Sequence, residues 1–144
     1  MIYMTRLAVL FFSTLLSVGA SAADMNVSDA WIRVLPGGAP AGGYFTLHNG
    51  ARQPVVLVSA RSAAFGHVMM HKTVEEGGLS RMLPVERVEV PAGGKIAFAP
   101  GSYHLMLMQP SGKVTVGDRI KITMEFAGGQ KLTTEFQVRG PTGK

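Results

Sequence analysis

The sequence predicts an all-β domain, either a sandwich or a barrel. Short runs rich in β-branched and aromatic residues alternate with turn signals at regular intervals, which is typical of such folds. No stretch shows a sustained helical period. The turn signals are Pro36-Gly37-Gly38, Asn49-Gly50, Gly77-Gly78, Ala92-Gly93-Gly94, Pro100-Gly101, Pro110-Ser111-Gly112 and Gly128-Gly129.

Ten strands are predicted between these turns. Residues 119–126 and 131–138 alternate in polarity on either side of Gly128-Gly129 and predict a C-terminal hairpin. The other predicted strands, in chain order, cover residues 30–34, 43–48, 55–60, 68–73, 79–83, 87–90, 95–99 and 103–108.

The first 23 residues predict a secretory signal peptide rather than part of the fold. A short basic start is followed by an apolar run over residues 7–16 and by the small residues Ser21-Ala22-Ala23. The apolar run is shorter than the roughly 20 residues that a membrane-spanning helix needs. We therefore expect cleavage after Ala22 or Ala23, a periplasmic domain over residues 24–144, and no stable membrane insertion after cleavage.

The chain contains no cysteine, which excludes several classes of chemistry. Disulfides, thiolate nucleophiles, thiolate zinc sites and iron–sulfur clusters all require cysteine, as does a blue-copper electron-transfer centre. A lipobox cysteine is also absent, so the sequence predicts no lipid anchor. The formal charge is +5 for the whole chain, or +4 without Arg6. The basic residues are scattered, so no nucleic-acid partner is expected.

Methionines near histidines are the unusual feature of the composition. The chain has nine methionines, two of which lie in the predicted signal peptide. In the strand over residues 103–108, side-chain alternation places His104, Met106 and Met108 on one face. Residues two apart in a strand are roughly 6.5–7 Å apart at Cα, so an imidazole nitrogen and a thioether sulfur can converge on one ion.

A second pattern precedes it, in which His67, Met69 and His71 share a face of the strand over residues 68–73. A hairpin at Gly77-Gly78 would carry Met82 back towards His71. Thioether sulfur is a soft donor that prefers Cu(I), whereas imidazole suits several metals. The two patterns together therefore favour copper, although one strand with a histidine and two methionines is weak evidence by itself.

Other candidates are better explained by packing. We expect His48 to pack at a strand end, His67 to be a solvated loop residue, and Met25 and Met124 to lie in the core. The aromatic residues Trp31, Tyr44 and Phe45 are also predicted to be core residues.

The long-range spacing resembles that of the periplasmic PCuAC-type copper chaperones. Their pattern His-x10-Met-x21-His-x-Met is matched by His71, Met82, His104 and Met106. Similarity to the family extends over nearly the whole predicted domain, through Ala30-Trp-Ile-Arg33, Ala41-Gly-Gly-Tyr-Phe-Thr-Leu47, Pro91-Ala-Gly-Gly94 and Pro100-Gly-Ser-Tyr-His-Leu-Met-Leu-Met108.

This resemblance implies a cupredoxin-like Greek-key β-sandwich or barrel. It implies that one Cu(I) is bound through His71, Met82, His104 and Met106 near one exposed end, and we expect the protein to be a monomer. It also implies delivery to the Cu(A) centre of a respiratory oxidase, with a Sco-type thiol protein as a further partner. In two respects the sequence departs from the family. Lys72-Thr73 follows the first histidine where members often carry methionine, and no His/Met-rich extension follows Gly140.

Two alternatives to this function remain open, and neither is an enzyme. An enzyme is not expected, because no nucleophile or acid–base motif is present and Glu75, Glu76 and Glu86 lie in turn-like stretches. A copper-scavenging or buffering protein would use the same ligands. A metal-free binding or adhesion module would use none of them.

Overall fold

The computed structural model describes residues 24–144 and contains ten strands, with a short 3-10 turn at Pro36–Gly38 between the first two. The signal peptide predicted at residues 1–23 lies outside the described residues. The strands are β1 Met25–Arg33, β2 Ala41–Asn49, β3 Val55–Arg61, β4 Phe65–Glu76, β5 Leu79–Pro84, β6 Val88–Val90, β7 Lys95–Phe98, β8 Tyr103–Pro110, β9 Arg119–Phe126 and β10 Lys131–Arg139. The prediction of an all-β domain is confirmed.

The strands form one hydrogen-bonded sheet in the order β5-β4-β8-β7-β2-β1-β10-β9-β3-β6. Most neighbours are antiparallel, but β1 pairs with β10 and β7 with β8 in parallel. Strand β2 also pairs directly with β8 beyond the end of the short β7. Neighbours in the sheet are therefore often distant in sequence, as a Greek-key arrangement requires.

The sheet folds over on itself, because strands far apart in its order contribute to one core. Strands near one end of the order bury Met70 and Leu105, strands near the other end bury Leu57 and Ile122, and all belong to a single apolar cluster. A flat sheet of ten strands could not bring these side chains together. The fold is thus the predicted sandwich or barrel, with a core side and an outer side to each strand.

Strand β1 is longer than predicted, because it starts at Met25 rather than at residue 30. Its pairing with β2 shifts register between Ser28 and Trp31, and Asp29 has a φ of 53°. A bulge of this kind interrupts the alternation of polar and apolar residues by which a strand is recognised in a sequence. Among residues 24–144, no helix has the length and apolar character needed to span a bilayer.

Candidate metal centre

Two histidines face each other where β4 and β8 pair. His71 and His104 are directly opposite in the antiparallel register. Their ring centroids are 5.6 Å apart and the rings are nearly perpendicular, at 89°. Both are largely withdrawn from solvent, with 9% of His71 and 6% of His104 exposed. Each is thus held at a fixed place in the sheet rather than on a mobile loop.

Each of these imidazoles has a buried nitrogen with no hydrogen-bond partner. The atoms are Nδ1 of His71 and Nε2 of His104. The other nitrogen of His104, Nδ1, lies 3.5 Å from the carbonyl oxygen of Ser102. If Nδ1 carries the proton and donates to that carbonyl, Nε2 keeps its lone pair. Leaving a buried polar atom unpaired costs about 1–3 kcal/mol, so two such atoms in one pair of residues indicate a ligand site.

The surroundings favour the neutral form of His104, which is the form that binds metal. Burial lowers the pKa of His104 below its ordinary value of 6.5, and the positive charge of a protonated His71 lowers it further. The hydrogen bond to the Ser102 carbonyl acts in the opposite direction and is outweighed by burial. Proton competition at this imidazole is therefore displaced towards lower pH.

Met106 follows His104 by two residues on the same outer face of β8 and is half-buried. It lies opposite Gly42 of β2 on one side and opposite Met69 of β4 on the other. A Cβ at Gly42 would stand 2.8 Å from the Tyr44 hydroxyl oxygen, so only glycine lets that ring lie where it does. The Tyr44 ring and Met106 thereby share one cavity wall.

Met82 is brought to the same place by the β4–β5 hairpin. The hairpin turns at Gly77 and Gly78, whose φ values of 57° and 80° match a tight turn that favours glycine. Met82 consequently pairs with Thr73, two residues along β4 from His71. It is 59% exposed, which makes it the most accessible of the four predicted ligands.

A cavity of about 370 Å³ opens beside these side chains. His104, Met106 and Met82 line it. His71 does not line it, but its ring lies 5.6 Å from that of His104. The structure thus brings the four predicted residues close together on three adjacent strands, β5, β4 and β8. Within residues 24–144 no three His, Cys, Asp or Glu side chains converge on a metal position. The donors that line the cavity here are one imidazole and two thioether sulfurs.

Arg33 and Tyr44 also line the cavity, and sequence reasoning did not assign them to the site. The Arg33 guanidinium carbon lies 5.1 Å from the centroid of the Tyr44 ring and 5.5 Å from that of Trp31. Tyr44 was predicted as a core residue and is indeed buried, but one side of it faces the cavity. In the sequence, the segments that contain Arg33 and Tyr44 stood out only through their similarity to the PCuAC-type family. That similarity did not indicate that either side chain lies at the metal site.

The remaining candidates lie elsewhere. His48 is on β2, where its Nε2 lies 2.9 Å from the Ser28 hydroxyl oxygen. Met25 and Met124 are buried in the core as predicted. His67 is exposed as expected, but it belongs to β4 rather than to a loop, and neither it nor Met69 lines the 370 Å³ cavity.

Comparison with known proteins identifies the family. The family model described as "Putative lipoprotein LpqE-like" matches residues 25–138. The chain belongs to the LpqE-like family. A relative from Leifsonia xyli, named "Putative lipoprotein Lxx21020", is 28% identical over 126 residues, which are 87% of this chain and 75% of the relative.

This LpqE-like chain shares its fold with solved PCuAC domains, which confirms the resemblance at the level of the fold and the predicted cupredoxin-like architecture. The copper-bound PCuAC domain from PmoF2 superposes with a TM-score of 0.68 at 24% identity, over 82% of this chain and 94% of that domain. The solution structure of apo-DR1885 from Deinococcus radiodurans superposes with a TM-score of 0.62 at 25% identity, over 97% of this chain and 95% of that one. The CuI form of DR1885 superposes with a TM-score of 0.63 at 24% identity, over 88% of this chain and 83% of that one.

Proposed function

We propose that this protein is a periplasmic copper chaperone that binds one Cu(I) through His71, Met82, His104 and Met106 and passes it to an acceptor protein. Copper is its cargo, and the protein itself catalyses no reaction. The acceptor would be an oxidase Cu(A) subunit or a Sco-type thiol protein, and the chaperone would act as a monomer.

One observation carries this proposal: two facing, buried imidazoles have unpartnered nitrogens, and one of the two imidazoles, His104, lines a cavity together with two thioethers. A purely structural histidine pair would be expected to satisfy these nitrogens with neighbouring donors or acceptors. Two imidazoles and two thioethers form a soft, neutral ligand set, which selects Cu(I) over harder divalent ions. Copper-bound structures of the PCuAC domain from PmoF2 and of DR1885 add support from the same fold.

The burial of the ligands suits transfer rather than storage. His71 and His104 hold the ion in the sheet, whereas Met82 on the exposed strand β5 can be displaced first. A thiolate of the acceptor would replace Met82 and then the remaining ligands, because thiolate binds Cu(I) more strongly than neutral thioether does. The two acidic residues of β4 are exposed and make contacts with β5 instead: Glu76 pairs with Arg81 at 2.9 Å, and Glu75 accepts a hydrogen bond from Ser80.

The first test is Cu(I) binding by the purified protein in competition with a chromogenic Cu(I) chelator. We expect one tightly bound equivalent, and its loss in a His71→Ala/His104→Ala variant whose fold is checked by circular dichroism. A His48→Ala variant is the matched control, because His48 lies on β2 and bonds to Ser28. Wild-type protein that leaves all copper on the chelator would instead favour a metal-free binding module.

The second test separates delivery from buffering. The Cu(I)-loaded protein is mixed with the soluble domain of an apo Cu(A) subunit or with a reduced Sco-type protein, and the copper content of each is measured after separation. We expect transfer that is faster than the copper loss measured with chelator alone. Transfer no faster than that loss would indicate a scavenging or buffering protein.

A further inference from the structure

Three cross-strand pairs of histidine and methionine run along the outer face of β4 and β8. The register places His71 opposite His104, Met69 opposite Met106, and His67 opposite Met108. We call these six residues the His–Met strip. Alternation directs their side chains away from the core, whereas the intervening residues Met70, Leu105 and Leu107 are buried in it.

Half of the strip is not used by the proposed copper site. His67, Met69 and Met108 remain, and they form a compact group around one cross-strand pair. Opposed residues in such a pair have Cβ atoms roughly 4.5–5.5 Å apart, and diagonal neighbours lie within reach of long side chains. An imidazole and two thioethers at these separations can therefore meet at one ion.

Exposure along the strip decreases towards the proposed site. His67 is exposed, Met69 and Met108 are half-buried, and His71 and His104 are buried. Methionine usually fills gaps in cores, yet these two half-buried methionines lie on the outer face. Met108 also borders a separate cavity of about 230 Å³, which leaves room for its thioether to change position.

We propose that His67, Met69 and Met108 form a second, weaker Cu(I) site that loads the site at His71 and His104. The role as a loading site rests on the proposed function. Three soft, neutral donors with greater exposure select the same ion but hold it less tightly. Met106, opposite Met69, lies between the two sites, so copper moves along the strip by exchange of one neutral ligand for another, with no change of oxidation state.

The experiment resolves two equivalents with two Cu(I) chelators of different strength. In wild-type protein, one equivalent resists the stronger chelator and a second is held only against the weaker. A His67→Ala/Met69→Leu/Met108→Leu variant should lose the second equivalent and keep the first. Leucine replaces methionine with little change of volume, which preserves packing. A His71→Ala/His104→Ala variant should lose the tightly bound equivalent and keep the weaker one. The control variant His48→Ala should keep both equivalents.

Methionine methyl resonances give an independent measurement. The methyl signals of Met69 and Met108 should shift with the second equivalent of Cu(I) and remain in place during the first. Wild-type protein that binds a single equivalent under both chelators, or a triple variant that retains two, would overturn the second site and leave the first intact. Loss of the tightly bound equivalent in the triple variant would instead contradict the ligand set of the proposed function. Protein that binds no Cu(I) at all would overturn both proposals.

Discussion

Met106 is the ligand whose contribution can be isolated most cleanly, because leucine keeps its approximate volume while removing the sulfur. We predict that Met106→Leu lowers Cu(I) affinity at least about tenfold, the equivalent of about 1.4 kcal/mol. Its free energy of unfolding should fall by less than about 1.5 kcal/mol, as for other volume-conserving apolar substitutions. Chelator competition and urea denaturation measure the two quantities.

Met108→Leu is the matched control for this substitution, since Met108 lies on the same face of the same strand, two residues further along. Tight Cu(I) binding should survive in it. If Met108→Leu abolished tight binding and Met106→Leu did not, the ligand assignment on β8 would be wrong by one strand repeat.

The pH dependence of binding should come from the two imidazoles alone, because thioethers have no proton to exchange near neutral pH. An imidazole must be neutral to bind copper, and an unperturbed imidazole titrates at about 6.5. Burial lowers the pKa of His104, so its contribution to affinity is present above pH 6.5 and is lost only as the pH falls through a lower value.

The slope of affinity against pH should therefore steepen in acid. In the limit where protons compete for both imidazoles of the copper-free protein, each further decrease of one pH unit should lower Cu(I) affinity up to about a hundredfold, or roughly 2.7 kcal/mol. The curve should flatten above pH ~7.5, because an unperturbed imidazole is largely neutral there and burial lowers the pKa of His104 further. Cu(I) affinity measured from pH 5 to 8.5, with correction for chelator protonation, tests this. An affinity independent of pH over that range is incompatible with a two-histidine site.

Among the strands, β5 is the least anchored. All six of its residues are exposed, it lies at one end of the sheet, and it is held there through its pairing with β4. Elements with few buried apolar contacts open at lower free energy than core strands. We predict that backbone amides in Leu79–Pro84 exchange with solvent at least about tenfold faster than those in β8, and that Cu(I) narrows the difference by fixing Met82.

Hydrogen exchange read by mass spectrometry measures both effects, and β6 at the opposite end of the sheet supplies the control. Copper should leave exchange in β6 unchanged. Equal protection of β5 and β8 without copper would contradict the idea that Met82 is the ligand most easily withdrawn.

How much of the architecture the sequence predicts depends on whether the signal is local. The β9–β10 hairpin was predicted from alternation around Gly128-Gly129, and its strands end within one residue of the predicted bounds. The β4–β5 hairpin followed from Gly77-Gly78 in the same way. Both pairings depend on a turn of a few residues, which glycine and polarity patterns specify directly.

The pairing of β4 with β8 could not be predicted from local pattern, because three strands intervene along the chain. That pairing brings His71 opposite His104. The four ligands could therefore be predicted only from the similarity of their spacing to the family's pattern. The roles of Arg33 and Tyr44 as cavity residues were missed for a related reason. Their position depends on β2 pairing with β8 rather than on any pattern within β1 or β2.

The stability of the whole molecule depends on its core, because the chain has no cysteine with which to form disulfides. Phe45 is 1% exposed and lies at the centre of an aromatic group. Its ring stacks on Phe98 with centroids 4.4 Å apart and meets Phe136 edge-on at 5.7 Å. This group joins β2, β7 and β10 and so connects strands that are far apart in sequence.

We predict that Phe45→Ala lowers the free energy of unfolding by about 3–5 kcal/mol, the usual cost of such a truncation. Domains of this kind are stable by only about 5–15 kcal/mol, so the loss should be plain in urea or thermal denaturation. Val116→Ala is the control, since Val116 is 54% exposed and should change stability by no more than about 0.5 kcal/mol. A loss below about 1 kcal/mol for Phe45→Ala would mean that the aromatic group is not central to stability.

The exposure of Met82 makes it the proposed ligand most open to oxidative damage. Oxidants convert methionine to its sulfoxide, and a thioether that solvent reaches is attacked before a buried one. Met82 is 59% exposed, while Met106 is half-buried and Met124 fully buried, so damage in the copper-free protein would begin at Met82. A sulfoxide presents a hard oxygen in place of a soft sulfur and suits Cu(I) poorly. The bound ion would therefore protect this sulfur, and the protein that carries no copper would be the form most easily disabled by oxidation.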